Sequence, residues 1–142
     1  LYDTIARAGY EEDILFAFGD IYRTPSTVLA HRLIGWAGEH GVQTTLVEEI
    51  FQAYFLKGVD IGDVDNLVEL AAKAGLTSDE VRAFLETDEG SDTVLAEHNL
   101  AQRMGINGVP CFILDGRYAV SGAQSPEVLQ RMIESARETS AA

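Results

Sequence analysis

One stretch, "NGVPCFILDGRYAVSGAQ" at residues 107–124, sets the main constraint on what this chain can fold into. It carries the one clear strand period in a sequence otherwise punctuated as helices. Two four-residue runs, CFIL and RYAV, flank Asp115 and Gly116, a pairing that suits a type I′ hairpin because both central residues accept positive φ. An isolated two-stranded hairpin is marginal in water, and the run 111–114 is apolar at nearly every position, so it asks for neighbours on its faces and edges. The chain offers no convincing long strands to serve. The sheet is therefore expected to be completed by residues upstream of Leu1 or by another copy of the molecule. The start on Leu1 rather than Met adds the expectation of a processed or truncated piece.

Pro110 follows Val109 at the mouth of the first run, where it cannot donate a ladder hydrogen bond and so belongs at a strand's first residue or in a turn. The bond between them can be cis at a cost of only about 0.5–1 kcal/mol. A cis link would turn the preceding amide and carbonyl outward, free to pair with an extended substrate. Cys111, the only cysteine, comes next, which excludes an intrachain disulfide and a cysteine-based zinc cluster. No Lys, Arg or His lies within four residues of it to lower its pKa, so this free thiol is expected to pack as a small apolar residue.

Helices fill the rest. Thr24 is read as an N-cap, with Pro25 at the first helical position, an apolar stripe through Leu29, Leu33, Trp36 and Ala37, and Gly41 as the stop. The strongest helical face comes next, through Leu46, Val47, Ile50, Phe51, Tyr54 and Phe55, closed by Gly58. Asp63 caps a helix that turns Leu67, Val68, Leu70 and Ala71 inward and ends at Gly75. Thr77 and Glu80 spell a capping box, with Leu76 and Val81 as its hydrophobic staple. A fifth helix is expected over 92–104, with Val94, Leu95, Ala101 and Met104 apolar and Gly105 as its stop. Ser125 caps a last one, with Pro126 in its first turn and Val128, Leu129, Met132, Ile133 and Ala136 on one face, before a tail at 138–142 that frays. Near the start, residues 1–8 read as the end of a helix and 14–18, "ILFAF", as a short strand.

The length of 142 residues suits one domain with an ordinary core, and the formal charge of -13 would repel polyanions, so nucleic acid and anionic membranes are excluded as partners. The first residues lack the basic start and apolar centre of a secretory signal, and the chain is expected to be soluble and cytoplasmic. His31, His40 and His98 form no ligand spacing, so no metal and no cofactor is expected. The aromatic residues fall largely at helical spacing and are assigned to the core, and the acidic runs to solvated faces.

Two stretches resemble a known family. "GVPCFILDGRYAVSGAQSPEVL" is similar to the cis-proline loop, hairpin and final helix of DsbA-like thioredoxin-fold proteins, in particular their FrnE-like branch, and "RTPSTVLAHRLIGWAGEHG" to the opening of that branch's inserted helical domain. The resemblance runs from about Tyr10 to the last helix. It implies an α/β fold, mostly helical: an incomplete thioredoxin-like fold with a remnant over 1–19, a helical insertion over 20–105, and the cis-proline loop, hairpin and helix over 106–142. It also implies thiol-disulfide exchange at a Cys-x-x-Cys facing Pro110. No such motif occurs in these residues, so the dithiol is expected before Leu1 and the piece itself is expected to be inactive.

By the same resemblance Val109 and Pro110 bind substrate, either a polypeptide or a small thiol. His31 and Arg32 hold the helical domain to the hairpin or line its groove. Ser121 and Gln124 are further candidates for reaching a ligand, beside their plainer turn and capping roles. Two other readings stand beside this one. A glutathione-dependent isomerase, like the 2-hydroxychromene-2-carboxylate isomerases, would use a serine in place of the first cysteine. A non-catalytic peptide-binding or assembly module would instead complete its sheet as a homodimer.

Overall fold

The computed structural model describes the backbone of residues 2–140 and the side chains of 2–138. Leu1, Ala141 and Ala142, on which part of the expected first helix and the fraying tail fall, lie outside the described residues. Among the described residues seven helices and one hairpin follow in the order α1 (Tyr2–Glu11), a 3-10 turn (Phe18–Asp20), α2 (Val28–Glu39), α3 (Gln43–Lys57), α4 (Val64–Lys73), α5 (Ser78–Leu85), α6 (Ser91–Arg103), β1 (Cys111–Leu114), β2 (Tyr118–Ser121) and α7 (Pro126–Ser140). Two units divide the chain, one ending at Leu95 and the other starting at Ala96, so the division falls inside α6.

In the first unit the core is built by α2 to α5. Leu33, Leu46, Leu67 and Val81 are fully enclosed there, with Ala37, Ile50, Ala53 and Ala71 filling the close approaches. Each such branched side chain contributes about 1.5–3 kcal/mol by leaving water. The α4 cap forms as its sequence implies: Asp63 Oδ1 accepts the Asn66 amide at 3.0 Å. At Thr77 the outcome differs. Leu76 and Val81 are buried as a staple, but the Thr77 side chain makes no capping hydrogen bond, so the box is not formed. Phe51, expected on the inner face of α3, is exposed, because Leu46, Ile50 and Ala53 mark the stripe that turns inward.

Helix α2 begins at Val28, with Thr27 and not Thr24 at its N-cap position. Long-range contacts explain the delay. Arg23 donates to Asp60 Oδ2 from Nε at 2.9 Å and from Nη2 at 2.6 Å, and Pro25 is buried so close to Gly62 that a Cβ added there would lie 3.0 Å from its ring. Both hold 23–26 outside the helix. The stretch 14–18 is not a strand either. The Phe16 and Phe18 rings stack at 4.8 Å, Phe16 meets Phe55 edge-on at 6.0 Å, and the Ala17 amide donates to the Phe55 carbonyl at 2.8 Å. The segment is used up on the end of α3. Gly58 closes that helix at φ 65°, and a Cβ on it would lie 2.7 Å from Asp20 Cβ and 2.9 Å from the Asp20 carbonyl. Only glycine meets both demands.

The Arg23 pairing also has a pH signature. With the Gly62 amide bonded to Oδ1 at 2.9 Å, it holds the Asp60 carboxyl below its ordinary 3.8, the Arg23 hydrogen bond being the largest cause. A depressed folded pKa stabilises the native state above the unfolded value, and that contribution disappears as pH falls through the folded one. Asp60→Asn is therefore expected to flatten the loss of stability below pH 3.8. Urea midpoints of the two proteins, taken from about pH 5 to about pH 2, check this, and parallel curves would refute it.

The second unit holds a two-stranded sheet, β1 antiparallel to β2, with Cys111 opposite Ser121, Phe112 opposite Val120, Ile113 opposite Ala119 and Leu114 opposite Tyr118. Asp115 and Gly116 take φ 52° and 64°, and the Arg117 amide donates to the Leu114 carbonyl at 3.1 Å, which closes a type I′ turn. Arg117, expected as the first residue of the second strand, instead stands outside the ladder as an extra turn residue. The register is thereby one residue from the symmetric one. The Tyr118 hydroxyl donates to the Ser135 carbonyl at 3.3 Å, so Phe112, Leu114, Tyr118 and Val120 share the face toward α7. Cys111, Ile113, Ala119 and Ser121 share the other, where Ile113 keeps 41% of its surface exposed. Helix α6 buries none of its side chains, and Leu95 and Met104, expected on its apolar face, are exposed.

Candidate functional site

Helix α6 ends in a glycine-closed turn: Gly105 takes φ 76°, its amide donates to Gln102, and the Ile106 amide reaches back to Ala101, both at 3.0 Å. The chain then runs through Asn107, whose side-chain amide donates to the Gly105 carbonyl at 3.1 Å, into the Val109–Pro110 bond, which is cis. The Pro110 carbonyl accepts the Gly122 amide at 2.7 Å, and Gly122 sits at φ 83° just past β2. That bond ties the loop to the end of the hairpin. The Gln124 side chain in turn donates to the Ser121 carbonyl at 2.8 Å and braces the turn into α7.

What the loop presents is Val109. It is 88% exposed, and neither its N–H nor its carbonyl has a hydrogen-bond partner among the described residues. A free donor and acceptor on an exposed residue, held from behind by Pro110 and Gly122, can pair with an extended chain laid alongside. One edge of β1 also lacks a partner strand among the described residues. Cys111 starts β1 as a half-buried free thiol, on the face opposite α7.

The site residues named from sequence therefore fall into two groups. Val109, Pro110, Cys111, Ser121 and Gln124 come together around the start of β1 and the end of β2. His31 and Arg32 belong to the helical unit. His31 is exposed in the first turn of α2, where Nδ1–H donates to the Thr27 carbonyl at 2.8 Å. Arg32 does not line a groove. It is 5% exposed and donates to the carbonyls of Glu89 at 2.7 Å, Thr87 at 2.6 Å and Phe84 at 3.2 Å, with its guanidinium 5.2 Å from the Phe84 ring centroid. It fastens the connection between α5 and α6. Among the described residues no three His, Cys, Asp or Glu side chains are grouped to hold a metal ion.

Two residues that sequence reasoning passed over, Arg117 and Arg131, line a cleft of the second unit. Their signal was the spacing of Val128, Arg131, Met132 and Ser135, which puts an arginine on a helix face otherwise read as apolar.

A family model described as a DSBA-like thioredoxin domain matches residues 1–134. YwbO, an uncharacterized protein of Bacillus subtilis, is 30% identical over 117 residues, which cover 82% of this chain and 58% of YwbO. The crystal structure of a probable DsbA oxidoreductase from Streptomyces coelicolor superimposes with a TM-score of 0.80 at 34% identity, over 93% of this chain and 57% of that one. The chain thus spans rather more than half the length of each.

Proposed function

The chain belongs to the DsbA-like thioredoxin domain family, and from that premise we propose that it is the substrate-presenting part of a thiol-disulfide oxidoreductase of the FrnE-like branch. The Val109–Pro110 loop meets a polypeptide or small-thiol substrate. One observation carries this reading: the exposed Val109, with both backbone polar groups free, anchored through the Pro110 carbonyl to Gly122. The probable DsbA oxidoreductase among the structural neighbours supports the reaction class, and the residues Arg23, Pro25 and Thr27 before "AHRL" support the branch.

In that reaction a thiolate attacks one sulfur of a substrate disulfide and expels the other as a thiolate, leaving a mixed disulfide. A second thiolate then attacks the enzyme's own sulfur, which releases the reduced substrate and leaves the dithiol oxidised. Two enzyme thiols are needed, and these 142 residues hold one. We assign the dithiol to residues outside them, and Cys111, in the ladder opposite Ser121, to strand packing.

The test compares insulin disulfide reduction by the 142-residue chain with reduction by the whole encoded protein. Activity is expected in the whole protein alone, and equal rates in the two would refute the assignment of the dithiol.

A further inference from the structure

Between β2 and α7 lies a cleft of about 440 Å3, within the range of small-molecule sites. One wall is a single face of α7: Val128, Arg131, Met132 and Ser135 follow at intervals of three, one and three residues. The other wall is β2 with Arg117, the residue that the hairpin register leaves outside the ladder. The apolar floor is Val120, Val128 and Met132, all half-buried.

Neither the Arg117 nor the Arg131 guanidinium makes a hydrogen bond or ion pair with the described residues. Glu127 and Glu134 are spaced four and three residues from Arg131, as helix ion pairs would be, yet both are otherwise engaged. Glu134 Oε1 accepts from Gln130 Nε2 at 2.8 Å, and the Ser125 hydroxyl bonds the Glu127 carboxylate, which holds it below the ordinary carboxylate range. The wider charge pattern points the same way. Of the 23 acidic residues 18 precede Ala96, whereas the stretch from there on carries Arg103, Arg117, Arg131 and Arg137 against five acids. Two unpaired cations thus face one cleft in a chain of net charge -13.

A guanidinium left unpaired beside an apolar floor matches a ligand that brings both parts. Its planar fork of donors suits a carboxylate or phosphate, and the floor suits a hydrocarbon body. We infer that the cleft between β2 and α7 binds a small organic anion, with its carboxylate or phosphate held by Arg117 and Arg131 and its apolar body on Val120, Val128 and Met132. The site is separate from the Val109–Pro110 loop and does not depend on the dithiol.

The experiment titrates the 142-residue chain with benzoate, phenyl phosphate, benzamide and inorganic phosphate, and follows backbone amide signals in 15N–1H spectra. Benzoate or phenyl phosphate is expected to shift Arg117, Tyr118, Met132 and Ser135. The stronger of the two identifies the head group. Benzamide, which keeps the ring without the charge, and inorganic phosphate, which keeps the charge without the ring, are expected to bind at least about tenfold more weakly, the first for want of a charge-assisted hydrogen bond and the second for want of apolar burial. The double variant R117Q/R131Q is expected to lose the preference for the charged ring by a similar factor. Benzamide binding as well as benzoate, an undiminished preference in the double variant, or no shift with either anion would each overturn the assignment. Should that variant fail to show native circular dichroism, the four probes on the unaltered chain still decide.

Discussion

Arg32→Met is expected to cost on the order of 3–5 kcal/mol, enough to unfold a large part of a marginally stable unit at room temperature. The guanidinium is buried without a carboxylate, and its partners are the carbonyls of Phe84, Thr87 and Glu89 where α5 ends. Those carbonyls point their negative ends at it, as a helix C-terminus does toward any cation, and the Phe84 ring adds its face at 5.2 Å. Methionine keeps the length of the stem but leaves the Thr87 and Glu89 carbonyls to find other donors, while that of Phe84 keeps the Thr87 amide and hydroxyl. Lysine keeps the charge without the fork and is expected to recover only part of the loss. Trp36, the one tryptophan, stacks on Phe84 at 5.2 Å, so its fluorescence reports on this corner of the fold. Urea curves followed by that signal measure the effect. A midpoint for Arg32→Met within about 0.5 kcal/mol of the unaltered chain would show that the clamp is dispensable.

Leu67→Ala is expected to cost about 2.7–5 kcal/mol by a different route. Leu67 is completely enclosed on α4, in the same cluster as Leu33, Leu46 and Val81. Removing three carbon atoms forfeits their transfer energy and leaves a void that helices packed on every side cannot close. Leu67→Met, which conserves volume, is expected to stay below about 1.5 kcal/mol. The pair of variants separates cavity from chemistry. A loss under about 1 kcal/mol for the alanine would mean that the core rearranges to fill the gap.

These two positions differ in how visible they were beforehand. Leu67 was assigned to the core from its place in a capped apolar period, because a helix face is a property of neighbours three and four residues apart. Arg32 gave no such signal. Its partners lie 52 to 57 residues away, and a charged residue on α2 is read as solvated or functional until those carbonyls come into view. The same reason accounts for the errors at 14–18 and 24–27. A continuous apolar run and a Thr-Pro start were sound local signals, overruled by Phe55 and by Asp60 from α3 and the loop after it. The hairpin was legible in its turn chemistry but not in its register, which one extra residue at Arg117 changes. That extra residue matters for the site, since it takes Arg117 out of the ladder that forms one wall of the cleft.

The sequence by itself determined α3 and α4, the cap at Asp63, the turn at Asp115 and Gly116, and the proline loop that carries the family resemblance. All of these follow from periodicity, φ preference or missing amides, which act within a few residues. Only the tertiary structure decided the path of 14–27, the burial of Arg32, the free amide and carbonyl of Val109, and the meeting of Arg117 with Arg131 on one cleft. Each of those depends on groups distant in the chain competing for the same contacts, and that competition is settled by packing rather than by local preference.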